Sequence, residues 1–405
     1  MNARGVWSVN ARGVWIHGVG AVTPFARDWA TSFGALREGR TAVAPITRFD
    51  ATRFPCPSAA PVEGGDEAED RRRPLAFDAA DAAWARAPSA DRERIGVFVG
   101  AEAGRPSFET VRGLARAAGG GRTFDHAAFG RAGVAFADRV DASVVSPAAI
   151  ASALAGRIGA LGPVATFSLA CASGGAAIVE AVRAIRADEC DVALVGGVGA
   201  DVDAMMIAGF GRLGALSAVG VSRPFDRRRD GFVVGEGAAF VVLAATPGPD
   251  DLRVAGVART VDAWHLTMPD PRGDGAFRAM ASALADAGLD GVDAIQAHGT
   301  STPQNDRVEA AAIRRLFGGR TPPVSSVKGA VGHWIAGAGA VGFLCAVEAI
   351  RRGVVLPTAG LVDPDPRCDL PHVIGAAVVR DVRSAMVNAF AFGGANASIV
   401  VARGT

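Results

Sequence analysis

The chain has 405 residues, half of them hydrophobic, and 42 basic residues almost balance 41 acidic ones for a net charge of +1. That length suits a large buried core. A balanced charge and a total lack of tyrosine provide neither the field nor the stacking surface of a nucleic-acid binder. Five cysteines without Cys-x-x-Cys spacing exclude a disulfide framework and a cysteine-rich zinc site, so no metal is expected. No apolar run reaches membrane-spanning length and no charged-then-apolar signal segment opens the sequence, which leads us to expect a cytoplasmic protein without membrane insertion.

In chain order, Asn2-Ala-Arg-Gly-Val-Trp7 recurs as Asn10-Ala-Arg-Gly-Val-Trp15, a duplication too short for a structural repeat. Short β-rich runs then alternate with alanine-rich helical stretches, the pattern of a layered α/β protein. Strands are expected at 13–19, 95–99, 164–169, 192–195, 238–243, 294–297, 324–327, 385–388 and 398–401. Helices are expected at 175–186, 275–287, 307–316 and 338–351. The Pro/Gly-rich stretch 59–74 reads as an exposed loop, with Arg71-Arg-Arg73 solvated, whereas Arg227-Arg-Arg229 beside Asp226 and Asp230 reads as internally ion-paired. A break at Ala245-Thr-Pro-Gly-Pro-Asp-Asp251 separates two halves. A site built from both would lie in the crevice at the carboxyl ends of the strands.

Three residues stand out. Cys171 ends the apolar run Val164-Ala-Thr-Phe-Ser-Leu-Ala-Cys171 and precedes Ala-Ser-Gly-Gly and a helix. Such a helix would set positive dipole charge and free N–H groups beside the sulfur and lower its pKa, as a nucleophile requires. His298 lies in Gln296-Ala-His-Gly-Thr-Ser-Thr-Pro303, with small hydroxyls after it. His333 follows Lys328, the only lysine of the chain. Two imidazoles exceed what one thiol needs and suggest paired donors to an oxygen on which negative charge develops, as when a thioester-linked malonyl unit loses carbon dioxide. The other cysteines (Cys56, Cys190, Cys345, Cys368) read as small hydrophobes, and His17, His126, His265 and His372 as ordinary core or surface residues. Asn388-Ala-Phe-Ala-Phe-Gly-Gly-Ala-Asn396 reads either as a tight turn between strands or as a mobile segment placing an N–H near a thioester oxygen.

Taken with Gly18-Val-Gly-Ala-Val-Thr-Pro24, Pro45-Ile-Thr-Arg-Phe-Asp50, Arg223-Pro-Phe-Asp226, Asp230-Gly-Phe-Val-Val-Gly-Glu-Gly237, Asn305-Asp306 and Phe392-Gly-Gly394, these motifs resemble the beta-ketoacyl-acyl carrier protein synthases, the Cys-His-His condensing enzymes of the thiolase fold. The resemblance implies a five-layered αβαβα unit of two pseudo-repeated halves, 14–250 with the nucleophile and 251–403 with both histidines. It implies an acyltransferase that condenses malonyl-carrier protein with an acyl group held on Cys171, His298 and His333 donating to the malonyl carbonyl. The amides of Cys171 and Phe392 would form the oxyanion hole, with Phe392 also a gate. Thr300 and Thr302 would bind pantetheine, and Lys328 and Glu309 would support the histidines. No cofactor would be tightly bound, phosphopantetheine arriving on the acyl carrier protein. The expected partners are that carrier and a second subunit, as a homodimer or as a heterodimer with a chain-length-factor-like chain.

Departures from the ordinary family pattern are Ser168-Leu-Ala-Cys-Ala-Ser-Gly174, Gly332-His-Trp334, and segments near 155–163, 216–223 and after Leu243 that look short. They fit a specialised polyketide or polyene ketosynthase as well as fatty-acid elongation. A thiolase acting on coenzyme A esters would carry a second reactive cysteine in its late glycine-rich motif, where this chain has Phe392. A non-catalytic chain-length partner would lack the nucleophile, although this chain could act beside such a partner.

Overall fold

The computed structural model describes residues 12–64, 70–106, 108–119, 123–137 and 142–404; the first copy of the duplicated hexapeptide lies outside them. Ten strands form the main sheet: β1 (Trp15–Val22), β2 (Ile95–Gly100), β3 (Val164–Phe167), β4 (Val192–Ala200), β5 (Glu236–Ala244), β6 (Leu252–Val261), β7 (Ala294–Gln296), β8 (Val324–Ser325), β9 (Ser384–Phe390) and β10 (Ala395–Arg403). Their order is β8-β7-β9-β10-β6-β1-β5-β4-β2-β3. Read from the centre outward, β1-β5-β4-β2-β3 and β6-β10-β9-β7-β8 follow one plan, each with two antiparallel and then two parallel pairings. A single residue pair, Trp15 with Arg253, joins β1 to β6.

Helices complete the layers. α1 (Arg72–Trp84) covers the outer face of β1, β4 and β5; α2 (Ser173–Arg186) and α5 (Ala338–Arg352) lie between the two half-sheets; α3 (Asp274–Ala287) covers β6 and β10, with α4 (Pro303–Phe317) beside it. The result is the expected αβαβα stack. Local chemistry sets the helix ends. Thr302 caps α4 by accepting from Asn305 N, with Pro303 in the first turn. Gly288 ends α3 in the left-handed region at φ 67°. α5 is buried along almost its whole length and α2 along all but a stripe at Glu180, Arg183 and Arg186, so both sequences are largely apolar.

The two central helices touch through glycine. A Cβ on Gly339 would lie 2.5 Å from Gly175 N, and one on Gly174 would lie 2.9 Å from Ala336 O. This close approach brings the start of α2, just after Cys171, against the segment that follows His333.

Several expectations need correction. β6 was not anticipated, because Arg253, Gly256 and Arg259 interrupt its apolar pattern. The described parts of the stretch 59–74 are not an exposed loop throughout: Ala59, Ala60 and Val62 are buried and α1 begins at Arg72, while 65–69 lie outside the described residues. Arg71 and Arg72 are not solvated either. Arg71 pairs with the fully buried Glu236 at 3.0 Å, and Arg72 pairs with Asp70 at 2.7 Å. Of the anticipated pairs, Arg228 meets Asp226 at 3.0 Å, whereas Arg229 pairs with Asp365 at 2.7 Å and Asp230 faces Arg223 at 3.6 Å. No helix among the described residues is long and apolar enough to cross a membrane.

The helix crossing is testable. Gly339→Val should destabilise the protein by about 2–3 kcal/mol in a denaturant titration, because the clash is with backbone that cannot swing aside. Gly34→Ala, at an exposed position of the helix Trp29–Arg37 where nothing lies within 4 Å of the added carbon, should be neutral or stabilising by about 0.5 kcal/mol.

Candidate active site

After β3 the chain makes one 3-10 turn, Ala170–Ala172, and enters α2 at Ser173. Ala170 sits at φ 47°, in the left-handed region that a residue with a Cβ rarely occupies, so the chain turns sharply just before Cys171. The thiol is 6 % exposed. Burial pushes its pKa up to about 12, opposed by the charge of Lys328 and by the backbone amides of Cys171 and Phe392. This runs against the expectation of a thiol lowered by the helix end: burial is the largest influence and pushes the other way.

His298 follows β7 in a loop held by two acids of α4. Its amide and that of Gly299 each donate to Glu309 at 2.8 Å, while Thr300 N and Ser301 N donate to Asp306 Oδ1 at 2.9 and 3.2 Å. Asn388 Nδ2 donates to the same Glu309 at 3.2 Å. Glu309 therefore supports the histidine through its backbone. Asp306, which the sequence reading quoted in a motif without giving it a role, does the same for the next two residues.

His333 follows the short helix Lys328–Val331. Its amide donates to Val233 O at 2.8 Å and its carbonyl accepts from Gly235 N at 3.0 Å, which fixes it to the strand-like segment before β5. Trp334, the departure from the family pattern, is fully buried behind it and donates from Nε1 to Val331 O at 2.9 Å.

The two rings are 5.7 Å apart, centroid to centroid, and nearly perpendicular at 81°. Their tautomers follow from their partners. His298 Nδ1 faces the Lys328 ammonium at 3.3 Å, and His333 Nδ1 accepts from Ile335 N at 3.2 Å. An occupied Nδ1 acceptor leaves the proton of each neutral ring on Nε2. Both rings are held neutral, since burial first and Lys328 second drive each pKa well below the usual histidine range. Lys328 also donates to His298 O; burial lowers its own pKa to about 8 against the pull of Glu309.

His333 Nε2 lies 3.0 Å from Cys171 Sγ. A cavity of about 260 Å³ is lined by Cys171, His298, His333, Phe392, Thr300 and Thr302, among others. Glu309 reaches its wall, whereas Lys328 lies behind His298 and does not. Thr300 and Thr302 bond to each other through their hydroxyls at 2.9 Å. The glycine loop is the turn between β9 and β10, residues 391–394, and from it Phe392 reaches the cavity.

The sulfur and imidazole donors lie within 4.8 Å of one another, close enough to grip a soft cation such as zinc. The ammonium 3.3 Å from His298 Nδ1 works against a second positive charge there. Sequence reasoning missed Glu102, whose carboxylate accepts from Ala170 N at 2.9 Å. A lone acid after a strand carries no signal of its own.

The model of the beta-ketoacyl synthase N-terminal domain matches residues 11–247, and that of the C-terminal domain matches residues 252–362. The chain is 33 % identical over 426 residues to 3-oxoacyl-[acyl-carrier-protein] synthase 2 of Coxiella burnetii, covering 97 % of this chain and 99 % of that one. Among solved structures, a type II PKS acyl-carrier protein in complex with its ketosynthase bound to the hexaketide superposes with a TM-score of 0.85 at 26 % identity, covering 98 % of this chain and all of the other (100 %). The ishigamide ketosynthase/chain length factor superposes with a TM-score of 0.83 at 29 % identity, with 98 % and 100 % covered. With the N-terminal model matched over β1 to β5 and the C-terminal model over β6 to β8, the chain belongs to the beta-ketoacyl synthase family and is a condensing acyltransferase of the thiolase-like fold.

Proposed function

We propose that Cys171 carries the acyl group and that His298 and His333 together stabilise the enolate formed when malonyl-carrier protein loses carbon dioxide. The observation that carries this reading is the convergence of two neutral Nε2–H donors and one sulfur on a single cavity. In the first half-reaction Cys171 Sγ attacks the thioester of an acyl-carrier protein. Its proton ends on the departing pantetheine sulfur. In the second, malonyl-carrier protein enters, Thr300 and Thr302 bind its pantetheine arm, and the two imidazoles donate to its thioester oxygen while the carbon–carboxylate bond breaks. The carbanion attacks the acyl carbon on Cys171, and the oxyanion of that step sits against the amides of Cys171 and Phe392. Collapse releases the thiolate and a 3-ketoacyl chain two carbons longer. Phe392 gates the acyl space, and Lys328 and Glu309 hold His298 without moving a proton.

The phosphopantetheine belongs to the carrier, so the enzyme needs no resident cofactor. Among the described residues no second cysteine lines the cavity, which disfavours the thiolase chemistry. We place the division between the halves at residue 250, with 14–250 bringing Cys171 and 251–403 bringing both histidines. The partner subunit, a second copy or a chain-length-factor-like chain, docks on the free edge at β3. Val164 and Leu161 are exposed there, and the helices Phe108–Ala117 and His126–Phe136 with the link between them expose Phe108, Phe124, Phe129 and Val134. The chemistry is common to fatty-acid and polyketide assembly. Five free, buried cysteines suit a reducing cytoplasm.

Intact-mass analysis with acyl-carrier thioesters should show an adduct on the wild type and none on Cys171→Ala. His298→Ala and His333→Ala should still acylate but lose malonyl decarboxylation by about 10²-fold or more, the cost of one oxyanion donor. Unimpaired decarboxylation in both would overturn the enolate assignment. The pH dependence has a definite sign. Lys328 is an ammonium below about pH 8 and holds the proton of His298 on Nε2. Above that value the neutral amine can accept from Nδ1–H instead, so decarboxylation should fall as pH rises through about 8. In Lys328→Ala the rate should be low throughout and this limb absent.

A further inference from the structure

We propose that Glu102 is a positioning residue for the nucleophile: its carboxylate holds the turn before Cys171 in its left-handed conformation and sets the charge behind the sulfur. This rests on the reading of Cys171 as the acyl carrier. Glu102 Oε1 accepts from Ala170 N at 2.9 Å and lies 3.2 Å from Ser173 Oγ, while Oε2 accepts from Ser168 Oγ at 2.7 Å. Ser173 Oγ in turn accepts from Leu169 N at 2.8 Å and lies 2.6 Å from Ala170 O. The carboxylate thus grips three of the six residues 168–173, including the one whose positive φ aims the sulfur.

Its own placement is firm. Glu102 follows β2, whose last residue, Gly100, packs so tightly on the start of α2 that a Cβ there would meet Gly174 N at 2.3 Å. The buried Arg72 donates to the Glu102 carbonyl. The strand plan gives a second view. β2 and β7 occupy equivalent places in the two half-sheets, and Glu102 stands two residues past β2 as His298 stands two past β7. Each braces the loop that leaves the neighbouring parallel strand, Glu102 the Cys171 turn after β3 and His298 the Lys328 segment after β8.

The electrostatic consequence has one sign. A carboxylate behind the sulfur disfavours the thiolate, opposing Lys328 in front of it. The resting thiol stays protonated and resists oxidation or alkylation, yet remains strongly nucleophilic once its proton is taken.

Glu102→Gln keeps the shape and the acceptor oxygen but removes the charge; Glu102→Ala removes both. Iodoacetamide alkylation of Cys171, read by peptide mass across neutral to alkaline pH, should show a midpoint lower by about half a unit in Glu102→Gln, roughly threefold more thiolate near neutrality. Acylation by a carrier thioester should slow about tenfold or more in Glu102→Ala and recover in Glu102→Gln, since a misplaced nucleophile loses its attack geometry. A Glu102→Gln alkylation profile that superposes on the wild type, or wild-type acylation by Glu102→Ala, overturns the proposal. If Glu102→Ala fails to fold, Glu102→Gln decides alone: a lowered alkylation midpoint with near-wild-type acylation supports it, and an unchanged midpoint overturns it. The alkylation arm uses no acyl donor. Wild-type protein acylated somewhere other than Cys171 would sink the nucleophile reading separately.

Discussion

A buried ammonium placed behind a neutral imidazole is the interaction on which the rest of the site depends. Lys328 lies 3.3 Å from His298 Nδ1 and is itself shut away from water. A charge in such a place is costly unless several partners share it. Here the His298 carbonyl accepts from it and Glu309 attracts it. What the arrangement secures is a ring that cannot become cationic and whose remaining hydrogen must face the cavity. His333 reaches the same state by another route, through the Ile335 amide. In the proposed decarboxylation an imidazolium would donate as well, but it would also attract the departing carboxylate.

The fold delivers these groups by repetition. Each half-sheet follows one strand plan, and the ends of its parallel strands meet the other half across α2 and α5. Glycine contacts let the two helices approach until the turn holding Cys171 and the segment after His333 share backbone contacts. A side chain at Gly174 or Gly339 would push the sulfur and the imidazole apart. Packing density in the middle layer is therefore a catalytic constraint as well as a stability term.

Much of this was legible in the residues. The apolar runs of β2, β4 and β5 and the alanine-rich stretches of α2 and α4 mark themselves by composition. Cys171, His298, His333 and Phe392 announced themselves by their glycine and hydroxyl neighbours, and they do line one cavity. What stayed hidden depends on contacts distant in sequence. Arg71 looks solvated until Glu236, which its guanidinium meets at 3.0 Å, is folded beside it. β6 is masked because Arg253, Gly256 and Arg259 break its apolar run, and its place is set by pairing with β10, far later in the chain. The thiol's proton affinity escapes the sequence because a helix end can be read there, whereas the burial that raises the thiol cannot. Glu102 gave no sign, since its meaning lies entirely in the turn it grips.

The protonation of the two imidazoles is the most direct test of the account. In protein labelled with 15N at histidine, the ring nitrogens of His298 and His333 should report neutral rings with hydrogen on Nε2 at neutral pH, and they should stay neutral on mild acidification. A cationic ring, or hydrogen on Nδ1 of either residue, would contradict the paired-donor mechanism.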